Sequence, residues 1–425
     1  MRRTAVTTIM LAAGAVVTLR GQAARPTVTF TIYLAEVLRA NLDLAAQQAQ
    51  VDVARAQQTG ARARPDWNVL VGLPSKDLSD VGWPSVSSAT ISVPIELGGK
   101  RDRRITAAGA DVNVALADHD DAIRLLRGAA AHAFVDALTA RNVLQAKNRS
   151  LEQLSRIVTV NQDRLRAGDV GEIELVQSRV ERDQFQTEVI AAESDVYAMD
   201  VSLGQLMGSA VALTTALPQP SGSLEIATRT FDVETLLAEA MTRRSDAISK
   251  TRAVQSAEAK IRLAKSSLVP DVGVAATYQH SAVGVGAFDQ PADNSIAASI
   301  AVNLPIFRRQ NPGDVLAAQA AHTQADLQLQ AVKLKIEAEL RQAYSRYQSA
   351  VRRLNLYRGT LIQDSDRVLE ARLYAYQRGS ATLLEVIDAQ RKSAEVSLAY
   401  YQALADHAHA LVALEQAAGL WDVTF

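Results

Sequence analysis

The acidic pair formed by Glu385 and Asp388 is the feature of this sequence whose residue types and spacing point most directly to chemistry. The two acids stand three residues apart, so they share one face of a helix that is predicted to begin just after Gly379. Carboxylates held on one face attract cations and repel each other when both are ionised. A solvated acidic pair favoured by the positive end of the helix dipole is the alternative. The first half of the chain has Glu174 at the matching position but Gln177 in place of the second acid.

The remaining candidate catalytic and metal-binding side chains form no recognisable motif. The sequence has six histidines and no cysteine. His407 and His409 stand two apart on a predicted helix and therefore point in different directions, and the other four are scattered, which predicts no metal site. No phosphate-binding loop, dinucleotide fingerprint or nucleophile elbow occurs, so we expect neither an enzyme nor a cofactor. A net charge of −1 argues against nucleic acid as a partner. The four scattered histidines are His119, His132, His280 and His322.

The chain contains two similar halves at a constant offset of 211 positions. The matched pairs are Gly168 with Gly379, Glu174 with Glu385, Gly208 with Gly419, and Pro94 with Pro305. A period this long differs from the 20–50 residues of a solenoid and indicates a duplicated half-protein. We assign residues 25–213 to the first repeat, 214–230 to a linker rich in Pro, Ser and Gly, and 231–425 to the second repeat.

Each repeat is predicted to run helix, strand, strand, helix, helix. The sequence is rich in Ala and Leu and poor in aromatic residues, which is typical of long helices packed closely. Two heptad seams support the long helices. The predicted helices span residues 31–63, 100–166, 172–207, 231–268, roughly 65 residues from Pro312, and 382–418, and the strands span 66–73, 85–95, 272–278 and 296–302. The seams are Leu144, Leu151, Val158 and Leu165, and Leu340, Tyr347, Leu354, Leu361 and Val368.

The predicted strands are apolar on one face and small and polar on the other, as in Ala89, Ile91 and Val93 against Ser88 and Thr90. This pattern fits transmembrane barrel strands of ~9–11 residues, and a half-buried strand of a soluble sheet is the alternative. Four strands cannot close a barrel, and an open edge is not tolerated in a bilayer. The barrel must therefore be shared, with eight strands from two copies or twelve from three. Three copies leave a water-filled lumen and are favoured.

The N-terminus predicts export. Residues 1–24 combine a basic start, an apolar run and a small-residue cleavage site, which is typical of a secretory signal peptide. The first amino acids after that site offer no cysteine for acylation, so any attachment to a membrane must use folded structure. Trp83 and Tyr278 border the predicted strands and are candidates for an interfacial aromatic girdle in contact with lipid.

Over nearly the whole mature chain, this order of elements resembles the TolC-like outer-membrane efflux channels. The resemblance rests on both repeats, on the turn segments RAGDVGEIEL and QRGSATLLEV, and on SVPIELGGKRDRRI, which is similar to the branch serving heavy-metal pumps of the resistance-nodulation-division type. It implies a homotrimer with a twelve-stranded outer-membrane barrel, continued by a periplasmic helical barrel. It also implies a periplasmic adaptor and an inner-membrane pump as partners. A drug pump or type I protein exporter upstream is one alternative, and a periplasmic adaptor or coiled-coil stalk is another.

The resemblance also implies functional residues. Glu385 and Asp388, with Glu174 of the first repeat, match the acids that constrict the closed periplasmic aperture in this family. The turns between the long helices match the tip onto which adaptor hairpins dock. The candidate docking residues are Arg166, Gly168, Gly171, Arg378, Gly379, Thr382 and Leu383. Many relatives of the metal-efflux branch are lipoproteins, and this chain departs from them because it has no cysteine.

Overall fold

The structure, a computed structural model, describes residues 27–73, 86–208, 217–282, 291–422 and 424–425. The predicted signal peptide and Trp83 lie outside these residues. Within them, the chain is mainly helical with a small β part, and each half runs helix, strand, strand, helix, helix as predicted. None of the described helices has a segment long and apolar enough to cross a membrane.

Within the described residues, the first half contains three strands, two shorter helices and two long helices. Its first long helix is on the order of 100 Å in length, because it holds 68 residues at ~1.5 Å each. The elements are β1 (Thr27–Thr29), α1 (Phe30–Ala40), α2 (Leu42–Ala61), β2 (Asn68–Gly72), β3 (Val86–Ile95), α3 (Lys100–Ala167) and α4 (Glu172–Leu206).

The second half repeats this plan with longer strands and a divided long helix. A short helix that the sequence did not predict precedes its long helix. The elements are β4 (Gln219–Ser221), α5 (Val233–Arg243), α6 (Ser245–Ser266), β5 (Asp271–Ser281), β6 (Asp293–Asn303), α7 (Ile306–Gln310), α8 (Gly313–Leu356), a π-helical segment (Tyr357–Leu361), α9 (Ile362–Gln377) and α10 (Leu383–Ala418).

The four long strands form one antiparallel sheet in the order β2-β3-β5-β6. Their register places the predicted apolar positions on one face, where Val69 lies opposite Ile91, and Val274 lies opposite Ile300. The small polar positions share the other face, where the hydroxyl oxygens of Thr90 and Thr277 are 2.9 Å apart. The two-faced strands predicted from alternation are therefore confirmed.

The apolar face of this sheet is uncovered within one chain. Ile296 is 82% exposed and Ile300 is 75% exposed. The strands β2 and β6 form the two edges of the sheet. A soluble sheet would bury such a face, so the fold presents a surface suited to an apolar environment.

The core lies where the helices of the two halves meet. The helix α3 packs against α2, α4, α6 and α10, and α8 packs against α6 and α10. Aromatic rings fill this region: the ring centroid of Phe134 lies 5.3 Å from that of Phe30 and 6.1 Å from that of Phe425. A short parallel pair formed by β1 and β4, which was not among the predicted strands, lies beside it.

Two predicted single helices are each divided in two. The segment 31–63 breaks at Asn41, whose side-chain oxygen accepts a hydrogen bond from the Leu44 N–H at 3.0 Å and so caps α2. The segment 231–268 breaks at Arg244, whose guanidinium donates to Asp246 and to the carbonyl of Ala417. The Asn41 side chain therefore satisfies backbone at the start of its own helix, whereas Arg244 makes no such cap and instead donates to a backbone carbonyl near the end of α10.

The heptad seam of the second long helix is interrupted by the π-helical segment. Leu340, Tyr347 and Leu354 are buried as the seam predicts. Beyond the kink the buried residues are Leu369 and Tyr376, one position later than the seam requires. A π turn accommodates one extra residue, so it rotates the following helix by one position. Leu361 and Val368 therefore lie on an exposed face.

Candidate functional site

The turns between the long helices are built alike in the two halves and lie at one end of the molecule. Gly168 and Gly379 both have positive φ, at 81° and 76°. In the first turn the N–H of Asp169 donates to the carbonyl of Arg164, and 211 positions later the N–H of Ser380 donates to that of Ala375. This helix ending needs a left-handed residue, which explains both glycines without any partner. Gly171 differs, because its φ of −83° is ordinary.

A small core joins the two turns into one tip. The aromatic ring of Tyr376 lies 4.4 Å from the guanidinium carbon of Arg164, and its hydroxyl donates to Asn161 and, at 3.3 Å, to Glu174. Glu174 is therefore half-buried and engaged within the chain. Six buried side chains fill this core: Leu154, Ile157, Tyr376, Leu383, Val386 and Ile387.

Glu385 serves as part of the cap of α10. Its carboxylate accepts a hydrogen bond from the Thr382 N–H at 2.9 Å, while its own N–H donates to the Thr382 hydroxyl. This reciprocal arrangement is a capping box. Arg372 of α9 lies 3.4 Å away. The Thr382 N–H, assisted by the Arg372 charge, lowers the pKa of Glu385 from its ordinary value.

Asp388 lies one turn further along α10 and is exposed. Arg391 forms a bidentate ion pair with Glu181 of α4, with nitrogen–oxygen distances of 2.7 and 2.6 Å. These bonds, and to a smaller degree the charge of Asp388, raise the pKa of Arg391. Both acids of the predicted gate therefore have an arginine nearby, and the sequence analysis identified neither Arg372 nor Arg391.

The predicted docking residues divide into exposed and buried ones. Arg166 and Arg378 are exposed, and the Arg378 guanidinium carbon lies 4.3 Å from the Tyr374 ring centroid. Leu383 is only 5% exposed and belongs to the tip core, so its side chain packs the subunit and offers no docking contact. Its neighbour Leu384 is 66% exposed and was missed.

Apolar side chains on α4 extend the exposed surface near the tip. Ile173, Val176 and Val180 are all exposed. Their spacing of three and four residues places them on one helix face. Helical periodicity could have found them if the helix had been treated as having two apolar faces.

The aromatic girdle can be followed only in part. Tyr278 lies in β5, is about half-exposed on the apolar face, and donates a hydrogen bond of 2.9 Å to Asn294. Trp83 lies outside the described residues. The girdle therefore stays a prediction.

No group of three or more His, Cys, Asp or Glu residues among the described ones could hold a metal ion. Two histidines that are far apart in the sequence nevertheless meet in the structure. The Nδ1 atoms of His132 and His409 lie 2.7 Å apart, because α3 and α10 pack side by side. The 277 positions between them hide this contact from sequence patterns.

His407 is fully buried, and within the described structure neither ring nitrogen has a hydrogen-bond partner. Its ring packs 5.5 Å from that of Tyr347. Burial, together with the positive charge of Arg358, lowers the pKa of His407 to about 4. Between that value and the ~6.5 of an unfolded histidine, only the unfolded chain binds the proton. The free energy of unfolding is therefore highest at neutral pH and decreases as the pH falls from ~6.5 towards 4.

We expect His407→Leu to reduce the acid sensitivity of the helical body. Between pH 7.5 and pH 5, the buried imidazole should cost about 2 kcal/mol of stability, because the unfolded state takes up a proton. The leucine variant lacks this term and leaves no buried polar atom unpaired. Melting temperatures at the two pH values measure the effect. The surface variant His322→Gln should show the same change in melting temperature between pH 7.5 and pH 5 as the wild type. If His407→Leu also shows this full change, the buried His407 is not the source of the acid sensitivity.

Comparisons with known proteins give consistent matches. The sequence profile described as "Outer membrane efflux protein" matches residues 33–209 and 236–420. The cobalt-zinc-cadmium resistance protein CzcC of Cupriavidus metallidurans is 22% identical over 78% of this chain and 77% of its own length. The outer membrane efflux protein BepC of Brucella suis is 22% identical over 68% of this chain and 61% of its own length. The structure of the CmeC outer membrane channel of Campylobacter jejuni is similar, with a TM-score of 0.76 and 15% identity over 97% of this chain and 93% of that one.

Proposed function

The chain belongs to the outer membrane efflux protein family, and from this membership we propose that it forms the outer-membrane duct of a tripartite efflux pump. The observation that carries the proposal is the uncovered apolar face of the four-stranded sheet, attached to long antiparallel helices. An exposed apolar band at one end and a polar helical body at the other suit a protein that is inserted in a membrane at one end and extends into water from one side of that membrane. The duct conducts passively and has no catalytic role.

The duct is a homotrimer in this proposal. One chain supplies four strands with two open edges, and an open edge is not tolerated in lipid. Pairing β6 of one copy with β2 of the next closes a barrel of twelve strands when three copies join. The apolar face then contacts outer-membrane lipid, and the small polar face lines a water-filled lumen. The helices extend into the periplasm after residues 1–24 have been removed as a signal peptide.

The tip controls the periplasmic entrance. Glu385 and Asp388 line the closed aperture, with Glu174 in a supporting position beneath Tyr376. Arg372 of α9 pairs with Glu385, and Arg391, which is bound to Glu181 of α4, lies near Asp388 on the same helix. Movement of α9 relative to α10 would separate Arg372 from Glu385 and expose that carboxylate to passing cations.

A periplasmic adaptor docks at the same end and connects the duct to an inner-membrane pump. Its contacts are the exposed Arg166 and Arg378, the backbone at the Gly168, Gly171 and Gly379 turns, and Thr382. The exposed Leu384 replaces Leu383 in this surface.

Heavy-metal cations are the cargo that the comparisons favour. The relative CzcC is described as a cobalt-zinc-cadmium resistance protein, and the segment 92–105 is similar to that branch. A drug pump is the second candidate, because BepC is described only as an outer membrane efflux protein. In either case the pump selects the cargo and the duct carries it.

An accumulation assay in a deletion strain tests the proposal. Cells lacking the chain should retain more zinc, cobalt and copper, and a plasmid copy should restore export. Retention of an organic dye alone would move the assignment to a drug pump. Unchanged levels of every compound, with the protein expressed in the parent strain, would contradict an efflux role.

A further inference from the structure

His132 of α3 and His409 of α10 form a close pair in the middle of the helical body. Their Nδ1 atoms are 2.7 Å apart, and the rings are 5.0 Å apart between centroids with an interplanar angle of 25°. Each ring is only partly buried. At this distance one nitrogen donates a proton to the lone pair of the other.

Asp136 fixes which nitrogen carries the proton. Its carboxylate oxygen lies 2.9 Å from the Nε2 of His409. Because a carboxylate only accepts hydrogen bonds, Nε2 must be protonated, and the neutral His409 ring then presents a lone pair at Nδ1. His132 donates its Nδ1 proton to that lone pair. A histidine backed by a carboxylate in this way has the orientation that metal-bound imidazoles have.

We propose that His132 and His409 bind one divalent transition cation of the zinc or copper type through their two Nδ1 atoms, with Asp136 positioning His409. On binding, His132 loses its Nδ1 proton to solvent and takes up a proton at Nε2, so the ring stays neutral and the metal takes the place of the proton between the two Nδ1 atoms. Zinc–nitrogen bonds of ~2.0–2.1 Å at a tetrahedral angle require nitrogen atoms about 3.3 Å apart, so the rings must separate slightly from their present 2.7 Å. Imidazole is a ligand that zinc, copper and nickel favour and that magnesium does not.

The surroundings leave room for water to complete the coordination. Cavities of about 430 Å³ and 380 Å³ lie on the two sides of the pair, and His409 lines both. The first cavity also carries Arg346 and an ion pair between Arg353 and Asp406 at 2.7 Å. The second cavity carries Asp136, Asp195 and Met199.

The pair is ready for a metal at neutral pH. An imidazole with the ordinary pKa of ~6.5 is mostly uncharged at pH 7.5, and burial, with a smaller contribution from His409, lowers the pKa of His132. Acid should displace the metal, because protons compete for the same nitrogen atoms. The proposal rests on contacts within the chain and not on the efflux role, so either one can fail alone.

Calorimetric titration of the tag-free, full-length chain in detergent at pH 7.5 tests the site. We expect one zinc ion per chain, with no heat from magnesium and weaker binding at pH 5.5. His132→Ala or His409→Ala should weaken zinc binding at least tenfold. Asp136→Asn should weaken it by about 10- to 100-fold although it removes no ligand. The control His322→Gln, which changes a histidine elsewhere on the surface, should bind as the wild type does.

Copper paramagnetic resonance on the wild-type chain gives a second readout that needs no variant to fold. Coupling of one bound copper ion to two imidazole nitrogens is expected. A spectrum without two coupled nitrogens would overturn the proposal. Zinc binding of wild-type strength in folded His132→Ala or His409→Ala protein, or no zinc binding by folded wild type, would do the same.

Discussion

Replacing Ile300 with arginine should sharply reduce the amount of folded protein in the outer membrane. Ile300 lies on the apolar face of β6 opposite Val274 and is 75% exposed within one chain. If that face contacts lipid, an arginine near the middle of the bilayer costs about 2–4 kcal/mol in each subunit. Three copies in one barrel multiply the penalty. Semi-native electrophoresis of urea-washed outer membranes measures how much heat-resistant oligomer remains.

Ser299→Arg is the matched control for this experiment. Ser299 precedes Ile300 on the same strand and therefore points to the opposite face, opposite Ala275. An arginine there would enter a water-filled lumen and should be tolerated. Equal loss of oligomer in the two variants, or equal tolerance, would show that the apolar face does not contact lipid.

Removing the charges of Glu385 and Asp388 together should raise the single-channel conductance severalfold in planar bilayers and lower the preference for cations. In the proposed trimer, six carboxylates meet near one axis, where they narrow the aperture, attract cations and repel anions. The double variant Glu385→Gln, Asp388→Asn removes these charges. Glutamine can keep the reciprocal cap with Thr382, so α10 should still begin at the same residue.

Asp364→Asn supplies the control for the gate experiment. Asp364 is an exposed acid at the start of α9 that pairs with Arg367, away from the tip. It should leave both conductance and selectivity unchanged. A double variant with wild-type conductance and selectivity would show that these two acids are not part of the gate.

The lowered pKa of Glu385 also predicts how the wild-type channel responds to acid. Acid should open the channel only at pH values below the ordinary pKa of a glutamate, because the carboxylate keeps its charge until then.

The strands and the turns of the long helices were predictable because local rules determine them. Alternation along β3 and β6 assigns their faces, since successive side chains of a strand point in opposite directions. Gly168 and Gly379 mark the helix ends because only glycine adopts a positive φ easily. Because the two halves match at an offset of 211 positions, a strand or turn recognised in one half predicts the same element in the other.

Other features depend on contacts that the sequence does not display. Asn41 offered a signal, because asparagine favours the start of a helix, whereas Arg244 is held by partners from α8 and α10 and offered none. The π-helical segment moved the buried face from Val368 to Leu369. At the tip, the position of the cap decides which of two adjacent leucines is buried.

Neither the two arginines beside the gate acids nor the contact between His132 and His409 was predicted, because sequence patterns do not show which helix faces meet. The contact between His132 and His409 and the pair formed by Arg391 and Glu181 each join helices from different halves of the chain. Arg372 and Glu385 lie on neighbouring helices of the second half, and their contact depends on how those two helices pack. The helices and turns that form the candidate site could therefore be predicted from the sequence, but the side chains that contact the gate acids could not.

Electron cryomicroscopy of the detergent-extracted, full-length chain shows directly whether three copies close one barrel. We expect a hollow cylinder with three-fold symmetry, in which β6 of each subunit pairs with β2 of the next to give twelve strands, and a helical tube closed at the Gly168 and Gly379 turns. A monomer, or an oligomer in which the edges of the sheet stay unpaired, would contradict it.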